Sequence, residues 1–479
     1  MPVSPAYRPD PAYQSLWSGP LGGEIADAVA PAMFPAPTLR FRNDRAAATV
    51  GLDTLTDPEW LTHFSAFEAL PDNQPQPLAL RYHGHQFRNY NPDLGDGRGF
   101  LFSQQREHGT GRLLDLGTKG SGKTPWSRGA DGRLTLKGGV REVLATAMLE
   151  ALGVPTSRSF SLIETGEALE RNDEPSPTRG AVLTRLSHSN VRFGTFQRYA
   201  ALGRADLIAL MVDHVVETYY PELAGAPDRA VALLEAVSLR TARLVARWMA
   251  AGFVHGVLNT DNMNINGESF DYGPYRFLPK NDPNFVAAYF DHSGLYSFGR
   301  QPEAVFWNLQ QLAGALSLVT ETDPLVEILN RFGGAYRDAL AGALVARLGL
   351  KPETPEADVD LANAAFRALA SGGERLRWEP FFFDWFCGGA SESRALAGPR
   401  GDLYGSEAFL ALRELFAGRT PDRPERLAHA HFHRAEPEEL LYDEIEAIWT
   451  PIAERDDWSA FHAELAAIEV ARQALALDA

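Results

Sequence analysis

Apolar residues change their period once along this chain, and that change limits the folds open to it. From Leu78 to about Leu186 they sit in short β-type runs, GFLFSQQ, RLLDLGTKG, SFSLIET and GAVLTRL. After Arg192 they recur at helical spacing, first in DLIALMVDHVVETYY, then in RAVALLEAVSLRTARLVARWMAAG, and again from Pro302 onward in segments separated by Pro and Gly. One strong helix interrupts the strand-rich part. It runs from Gly139 to Leu152, with Val140, Val143, Leu144, Ala147, Met148 and Ala151 on one stripe and Gly153 placed to end it in the C′ position. Residues 1–75 hold few periodic segments beyond a short amphipathic stretch from Pro58 to Leu70, and their Pro and Ala content predicts an arm packed on the main body. A chain of 479 residues exceeds what one core usually supports. The expectation is an α+β protein: a strand-rich lobe over 76–192, then a mainly helical lobe over 193–479 that ends in an extra helical region.

The segment His255 to Gly273, HGVLNTDNMNINGESFDYG, carries most of the chemistry. Its MNINGESFDYG part predicts a hairpin with Asn266-Gly267 at the tip, which would bring Asn262 and Asp271 together at the open end. In protein kinases the catalytic loop reads H-R-D-L-x-x-x-x-N, and a later D-F-G supplies a second metal-binding carboxylate. Here His255 and Asn262 keep the seven-residue spacing of that loop, and Asp271-Tyr272-Gly273 stands where D-F-G would. Val257 occupies the place of the base. A bilobal protein-kinase-like fold follows, with the hard oxygen ligands of Asn262 and Asp271 suited to Mg²⁺. The plain alternative for each residue is a turn cap; the preserved order of all of them favours the metal reading.

Lys119, at the end of LLDLGTK, resembles the strand lysine that reaches nucleotide phosphates in kinases, and Glu142, expected on the polar side of its helix, would pair with it. Solvated surface charges are the ordinary alternative for both. Gly117 to Thr124, GTKGSGKT, matches G-x-x-x-x-G-K-[ST] formally. A P-loop needs a helix starting at the Lys-Thr pair, and the following PWSRGADGRLTL has no helical stripe, so Lys123 is expected to be a peripheral charge. In LGDGRGFLF, Gly95, Gly97 and Gly99 would let backbone amides approach phosphate oxygens, with Arg98 adding a planar cation; a plain turn is equally compatible. Arg185 and Arg192 bracket the lobe boundary and would clamp a triphosphate. His83 and His85 in RYHGHQF lack a third metal ligand, so a structural role, bonding the glycine-rich segment, is expected.

Taken together, YHGHQF, LGDGRG, TKGSGKTPWSR, GADGR, VREVLATAMLEALGVPTSR, LTRL, NVRFGTF, HGVLNTDNMNINGESFDYGPYRFL and QPEAVFWNLQQLA resemble, in order, the selenoprotein O (YdiU) family of pseudokinase-fold protein adenylyltransferases. The resemblance implies transfer of AMP from ATP to Ser, Thr or Tyr hydroxyls of proteins, with release of pyrophosphate. It implies that Lys119 holds phosphate and pairs with Glu142, and that Gly95, Gly97, Arg98, Asp131, Gly132, Arg185 and Arg192 contact the nucleotide. Asn262 and Asp271 would bind Mg²⁺ or Mn²⁺, and Asp261 would accept the proton. Two features depart from the family pattern. The chain's one cysteine is Cys387, so a redox pair near the C-terminus is absent, and Arg88-Asn89-Tyr90 stands where a small or apolar run is usual.

A formal net charge of -17 argues against nucleic-acid and anionic-membrane partners, which are held by Lys and Arg. Cys387, set in FFFDWFCGGA, is expected to be a buried inert thiol, and a single cysteine fits a reducing compartment. No run of about 18 apolar residues occurs and the N-terminus lacks a signal-peptide pattern, so a cytoplasmic protein is expected. Three other readings remain open at this level: transfer of UMP or another nucleotide, a catalytically silent ATP-binding pseudokinase scaffold, and a conventional kinase, the last disfavoured by Val257.

Overall fold

The computed structural model describes residues 3–172 and 174–477. Its centre is an eight-stranded sheet in which every neighbouring pair is antiparallel. The strands are β1 (Ala26–Ala28), β2 (Thr38–Arg42), β3 (Leu78–Leu80), β6 (Leu101–Arg106), β7 (Leu113–Lys119), β8 (Leu134–Thr135), β9 (Arg158–Leu169) and β10 (Thr178–Ser187). They lie in the order β1-β3-β6-β7-β10-β9-β2, with β8 on β10. Two small pairs stand apart, β4 (Gly84–Gln86) with β5 (Asn89–Asn91), and β11 (Phe253–Val254) with β12 (Arg276–Phe277). Both outer strands of the large sheet therefore come from the first 80 residues or their partners: β1 and β2 lie in the segment whose sequence reads as an arm.

Side-chain alternation gives the sheet two buried faces. Leu162 and Leu183 face the helix Leu136–Ala151 and join Val140, Val143 and Leu144 in a core that continues into the helices after Arg192. Ile163, Val182 and Leu186 face the other way, where Trp60, Phe64 and Phe67 cover them. Trp60 stacks on Phe160 with ring centroids 5.0 Å apart. Thr56 and Glu59 form a capping box that starts the helix carrying Trp60. A third cluster, built on Leu344, Leu361, Phe381 and Trp385, holds the C-terminal helices together.

The Leu136–Ala151 helix begins one turn before the predicted Gly139, because Thr135 caps it by accepting from Gly138 N–H. Its end matches the sequence reading. Gly153 has φ +73° and Val154 N–H donates to Leu149 O at 2.9 Å, the six-to-one bond of a Schellman motif. The C-terminal helix Ser459–Leu475 returns to pack on this same helix, and Lys137 pairs with Glu446 at 2.8 Å on the neighbouring helix Tyr442–Arg455.

The predicted 263–273 hairpin does not form. Asn264 bridges Arg192 and Ser269 bridges Thr156, so the two arms pair with different neighbours instead of each other. Gly267 alone has positive φ, +68°, whereas a two-residue I′ turn needs both central residues there. Asn264 decides the local geometry: its Oδ1 accepts from Asn266 N–H at 2.8 Å and closes an Asx turn before the expected tip. Among the described residues no helix is long and apolar enough to cross a membrane.

Candidate active site

Where the sheet meets the helices after Arg192, charged side chains converge from four parts of the chain. Lys119, the last residue of β7 and buried, donates from Nζ to Glu142 Oε1 and to Asp271 Oδ1, the latter at 2.6 Å. Arg185 Nη1 on β10 lies 3.6 Å from the same Asp271 oxygen. Arg192 donates from Nη1 to Asp261 O at 2.8 Å, lies 3.4 Å from Asp96 Oδ1, and stacks over Tyr82 and Phe270 at 4.5 and 4.8 Å. Glu142 is not on the polar side of its helix as the sequence suggested. It is 1% exposed, and its helix buries that face against the sheet, where Lys119 Nζ donates to it.

The His255–Gly273 segment supplies the opposite wall. His255 is fully buried, donates its backbone N–H to Gln301 Oε1 at 3.0 Å, and bonds through Nε2 to Phe270 O at 2.9 Å, which fixes the residue just before Asp271. Burial lowers the His255 pKa, so the ring is neutral. Asp271 itself has φ +64°, a left-handed conformation costing about 1–2 kcal/mol outside glycine. That conformation aims its carboxylate at Lys119. Burial would raise the Asp271 pKa, but Lys119, Arg185, Arg98 and Arg192 outweigh it and hold the group well below the usual carboxylate range. Asn262 donates from Nδ2 to Val257 O at 3.0 Å, which orients its side-chain amide.

Asp261 presents the contrasting carboxylate. Burial pushes its pKa up to about 6, against the opposing charge of Arg192, and its Oδ1 makes no hydrogen bond among the described residues. Gly84, in the β4–β5 hairpin, packs directly on it: a Cβ there would lie 2.8 Å from Asp261 Oδ1. The hairpin is tied to the same loop by His85 N–H to Thr260 Oγ1 at 2.7 Å and by Phe87 N–H to Asn259 Oδ1 at 3.0 Å.

Other predicted residues sit further out. Gly95 and Gly97 are close-packed positions: a Cβ at Gly95 would meet the Trp126 ring at 2.4 Å and one at Gly97 would meet Trp126 O at 2.8 Å. The space a side chain would need is thus taken by Trp126. Arg98 is exposed on this rim, and its charge is felt at Asp271. Asp131 pairs with Arg171 at 2.7 Å, and Gly132 O accepts from Gly122 N–H at 3.2 Å; neither touches Lys119, Arg185 or Arg192. The segment after Lys119 forms turns and no helix, and Lys123 is exposed, as expected of a chain without a P-loop. His83 and His85 bond Arg198 and Gln197, each at 2.8 Å, and not the glycine-rich segment, because β4 turns them toward the helix Phe193–Ala201. Cys387 is buried, and burial pushes its thiol up to about 11.

Sequence reasoning passed over Asp96, Gly84 and Phe270. Asp96 lies between Gly95 and Gly97, accepts Leu80 N–H at 3.1 Å and faces Arg192; its place inside LGDGRG was the available signal. Gly84 was visible in YHGHQF but nothing local links it to a loop 177 residues away.

Among the described residues no three His, Cys, Asp or Glu side chains assemble a self-sufficient metal site. Two hard oxygen donors, Asp271 and Asn262, fit a Mg²⁺ or Mn²⁺ ion that completes its shell with phosphate oxygens and water.

The site thus sets buried cations beside the strongly acidic Asp271 and near the buried Asp261, and comparison with known proteins gives the class as nucleotidyltransferases. The chain is 44% identical over 474 residues to the "Protein nucleotidyltransferase YdiU" of Synechocystis sp., covering 95% of this chain and 96% of that protein. It is 46% identical over 470 residues to the protein of the same name in Gloeobacter violaceus, covering 95% and 93%. For the Cereibacter sphaeroides protein of that name the identity is 37% over 456 residues, with 90% and 92% covered. A family model described as "Protein adenylyltransferase SelO" matches residues 12–469. The chain belongs to the SelO protein adenylyltransferase family.

Proposed function

We propose that this chain is a metal-dependent protein adenylyltransferase with a bilobal, protein-kinase-like arrangement of its sheet and helices. The observation that carries the reading is the Lys119 bridge between Glu142 and Asp271, flanked by Arg185 and Arg192, beside a buried Asp261 and with Val257 where a kinase keeps its base. Lys119, Arg185 and Arg192 hold the phosphates of ATP and neutralise charge that builds on the leaving pyrophosphate. Arg98, with Gly95 and Gly97, and Asp131 with Gly132 border the nucleotide. Asn262 and Asp271 hold Mg²⁺ or Mn²⁺, which supplies Lewis-acid stabilisation of the phosphate oxygens when bound.

The acceptor is a Ser, Thr or Tyr hydroxyl of a protein. Its oxygen forms a bond to the α-phosphorus as the bond from that phosphorus to the bridging oxygen of the β-phosphate breaks. Asp261 takes the hydroxyl proton, and pyrophosphate departs with the bond's electron pair. A base so placed contributes ~10²–10⁴-fold. The formal net charge of -17 disfavours nucleic acid as the acceptor.

The test is a reaction with ATP labelled separately at the α- and γ-phosphate in the presence of Mg²⁺ or Mn²⁺. Retention of only the α-label on protein supports the proposal. Retention of the γ-label makes the protein a kinase, and ATP binding without any transfer to itself or to added acceptor proteins makes it a scaffold.

A further inference from the structure

The helix Arg229–Ala250 carries Arg240, Arg243 and Arg247 at spacings of three and four, so their guanidinium groups share one side of it. Two cavities of about 510 and about 660 Å³ meet there, both lined by Arg243 and Arg247. The smaller reaches the β6–β7 connection at Arg106 and Arg112; the larger reaches Arg347, Arg423 and Arg426. The acidic residues in the two linings are Glu222, Asp338 and Asp422, so each cavity is strongly basic on a chain whose net charge is -17. None of these residues belongs to the site around Lys119.

Some of the arginines are already satisfied. Arg106 pairs with Asp10 at 2.6 Å and Arg112 with Glu107 at 2.8 Å, while Arg240 lies 3.6 Å from Glu222. Arg423 and Arg426 share Asp422 at 3.2 and 3.4 Å. Others have capacity left. Arg243 is exposed and makes no hydrogen bond or ion pair among the described residues. Arg347 is 2% exposed, gives Nη2 to Glu379 and stacks over Phe382 at 4.7 Å, yet its Nε and Nη1 make no hydrogen bond among the described residues. A buried guanidinium with two unanswered donors is costly unless a ligand supplies acceptors.

Two details favour a peptide over a phosphate polymer. Asn266, in the lining of the smaller cavity and 7% exposed, has an unpartnered Oδ1, which needs a donor such as a peptide N–H; polyphosphate has none to give. Leu239, 42% exposed, and the half-buried Pro155 stand beside the arginines. Among the described residues the rings in the lining, Tyr219 and His188, offer no stacking platform for a base: Tyr219 is packed edge-on against His214 with its hydroxyl buried, and His188 lies 3.7 Å from buried Glu268. From Leu239 to Ala250 the helix rises ~16 Å, enough for ~5 residues of extended chain.

We propose that this groove docks an extended acidic segment of a partner protein in which Asp or Glu side chains alternate with apolar ones. The acidic groups answer Arg243 and Arg347, an apolar group covers Leu239, and a backbone N–H reaches Asn266.

The test is fluorescence anisotropy with a labelled peptide of alternating Glu and Leu, on the full chain at low and at physiological salt. The expected result is saturable binding that weakens as salt rises and falls roughly tenfold or more in Arg243→Glu, with ATP affinity unchanged and a Lys-Leu peptide not bound. Arg423→Glu provides a second exposed charge reversal, and a thermal melt checks that both variants fold. Three results would overturn the proposal: no binding of the acidic peptide, binding unaffected by both reversals, or tighter Arg243-dependent binding of inorganic polyphosphate or a single-stranded oligonucleotide.

Discussion

Replacing Gly84 with alanine probes the placement of Asp261 without touching any charged group. The added Cβ would lie 2.8 Å from Asp261 Oδ1, 3.1 Å from Asp261 Cβ and 3.1 Å from Leu94 Cδ1. Comfortable carbon contacts begin near ~3.5 Å, so the carboxylate has to retreat by about half an ångström. Gly84 is not among the glycines with positive φ, which means that alanine fits its backbone. Overpacking costs ~1–3 kcal/mol, partly offset by ~0.4–1 kcal/mol from a stiffer unfolded chain, so the variant stays folded. Catalysis is more sensitive than stability. A misplacement of ~1 Å can cost ~10²-fold, and half of that predicts a kcat lower by roughly 10-fold. Initial rates of labelled AMP transfer, with nucleotide affinity measured by equilibrium binding, read this directly. Full kcat in Gly84→Ala, or a loss that resides in nucleotide affinity, would refute the assignment of Asp261 to the acceptor side.

Other perturbations separate the remaining roles. Asp261→Asn should lower kcat by ~10²–10⁴-fold and leave nucleotide binding intact, read by single-turnover transfer and equilibrium binding in parallel. Asp271→Ala removes the proposed metal ligand and the partner of Lys119 and Arg185, so transfer should vanish at every divalent-ion concentration, and metal-dependent nucleotide binding should fail with it. Glu268 is fully buried, accepts His188 N–H at 3.0 Å, and burial pushes its pKa up to about 8 from the usual 4.5. Between those pH values the folded chain binds a proton that the unfolded chain has lost, so stability declines as pH rises through that window. Urea midpoints at pH 5 and pH 8 should therefore differ less in Glu268→Gln than in the unaltered protein; an unchanged difference would remove Glu268 from the pH dependence.

The parts of the fold that were legible in sequence are those set by local rules. The stripe of the Leu136–Ala151 helix and its Gly153 stop depend only on neighbours within a few residues, and both appear in the structure. The family was legible in the ordered motifs from YHGHQF to QPEAVFWNLQQLA, while the order His255, Asn262, Asp271 carried the kinase-like reading. Long-range choices were less legible. Glu142 lies on the buried face because Lys119, 23 residues earlier, supplies a counter-charge that no helical pattern encodes. The Asn266-Gly267 signal gave way to pairing of Asn264 and Ser269 with distant partners Arg192 and Thr156. Trp126 filling the space over Gly95, and the C-terminal helix returning to the Leu136–Ala151 helix, are likewise products of tertiary packing.

The most direct test of the central claim is the identity of the leaving group, measured as pyrophosphate and orthophosphate released in one reaction alongside labelling of the acceptor protein. Attack at the α-phosphorus predicts one pyrophosphate for each nucleotide joined to protein, with both signals lost together in Asp271→Ala. Release of ADP or orthophosphate in step with protein labelling would contradict it and return the site to kinase chemistry.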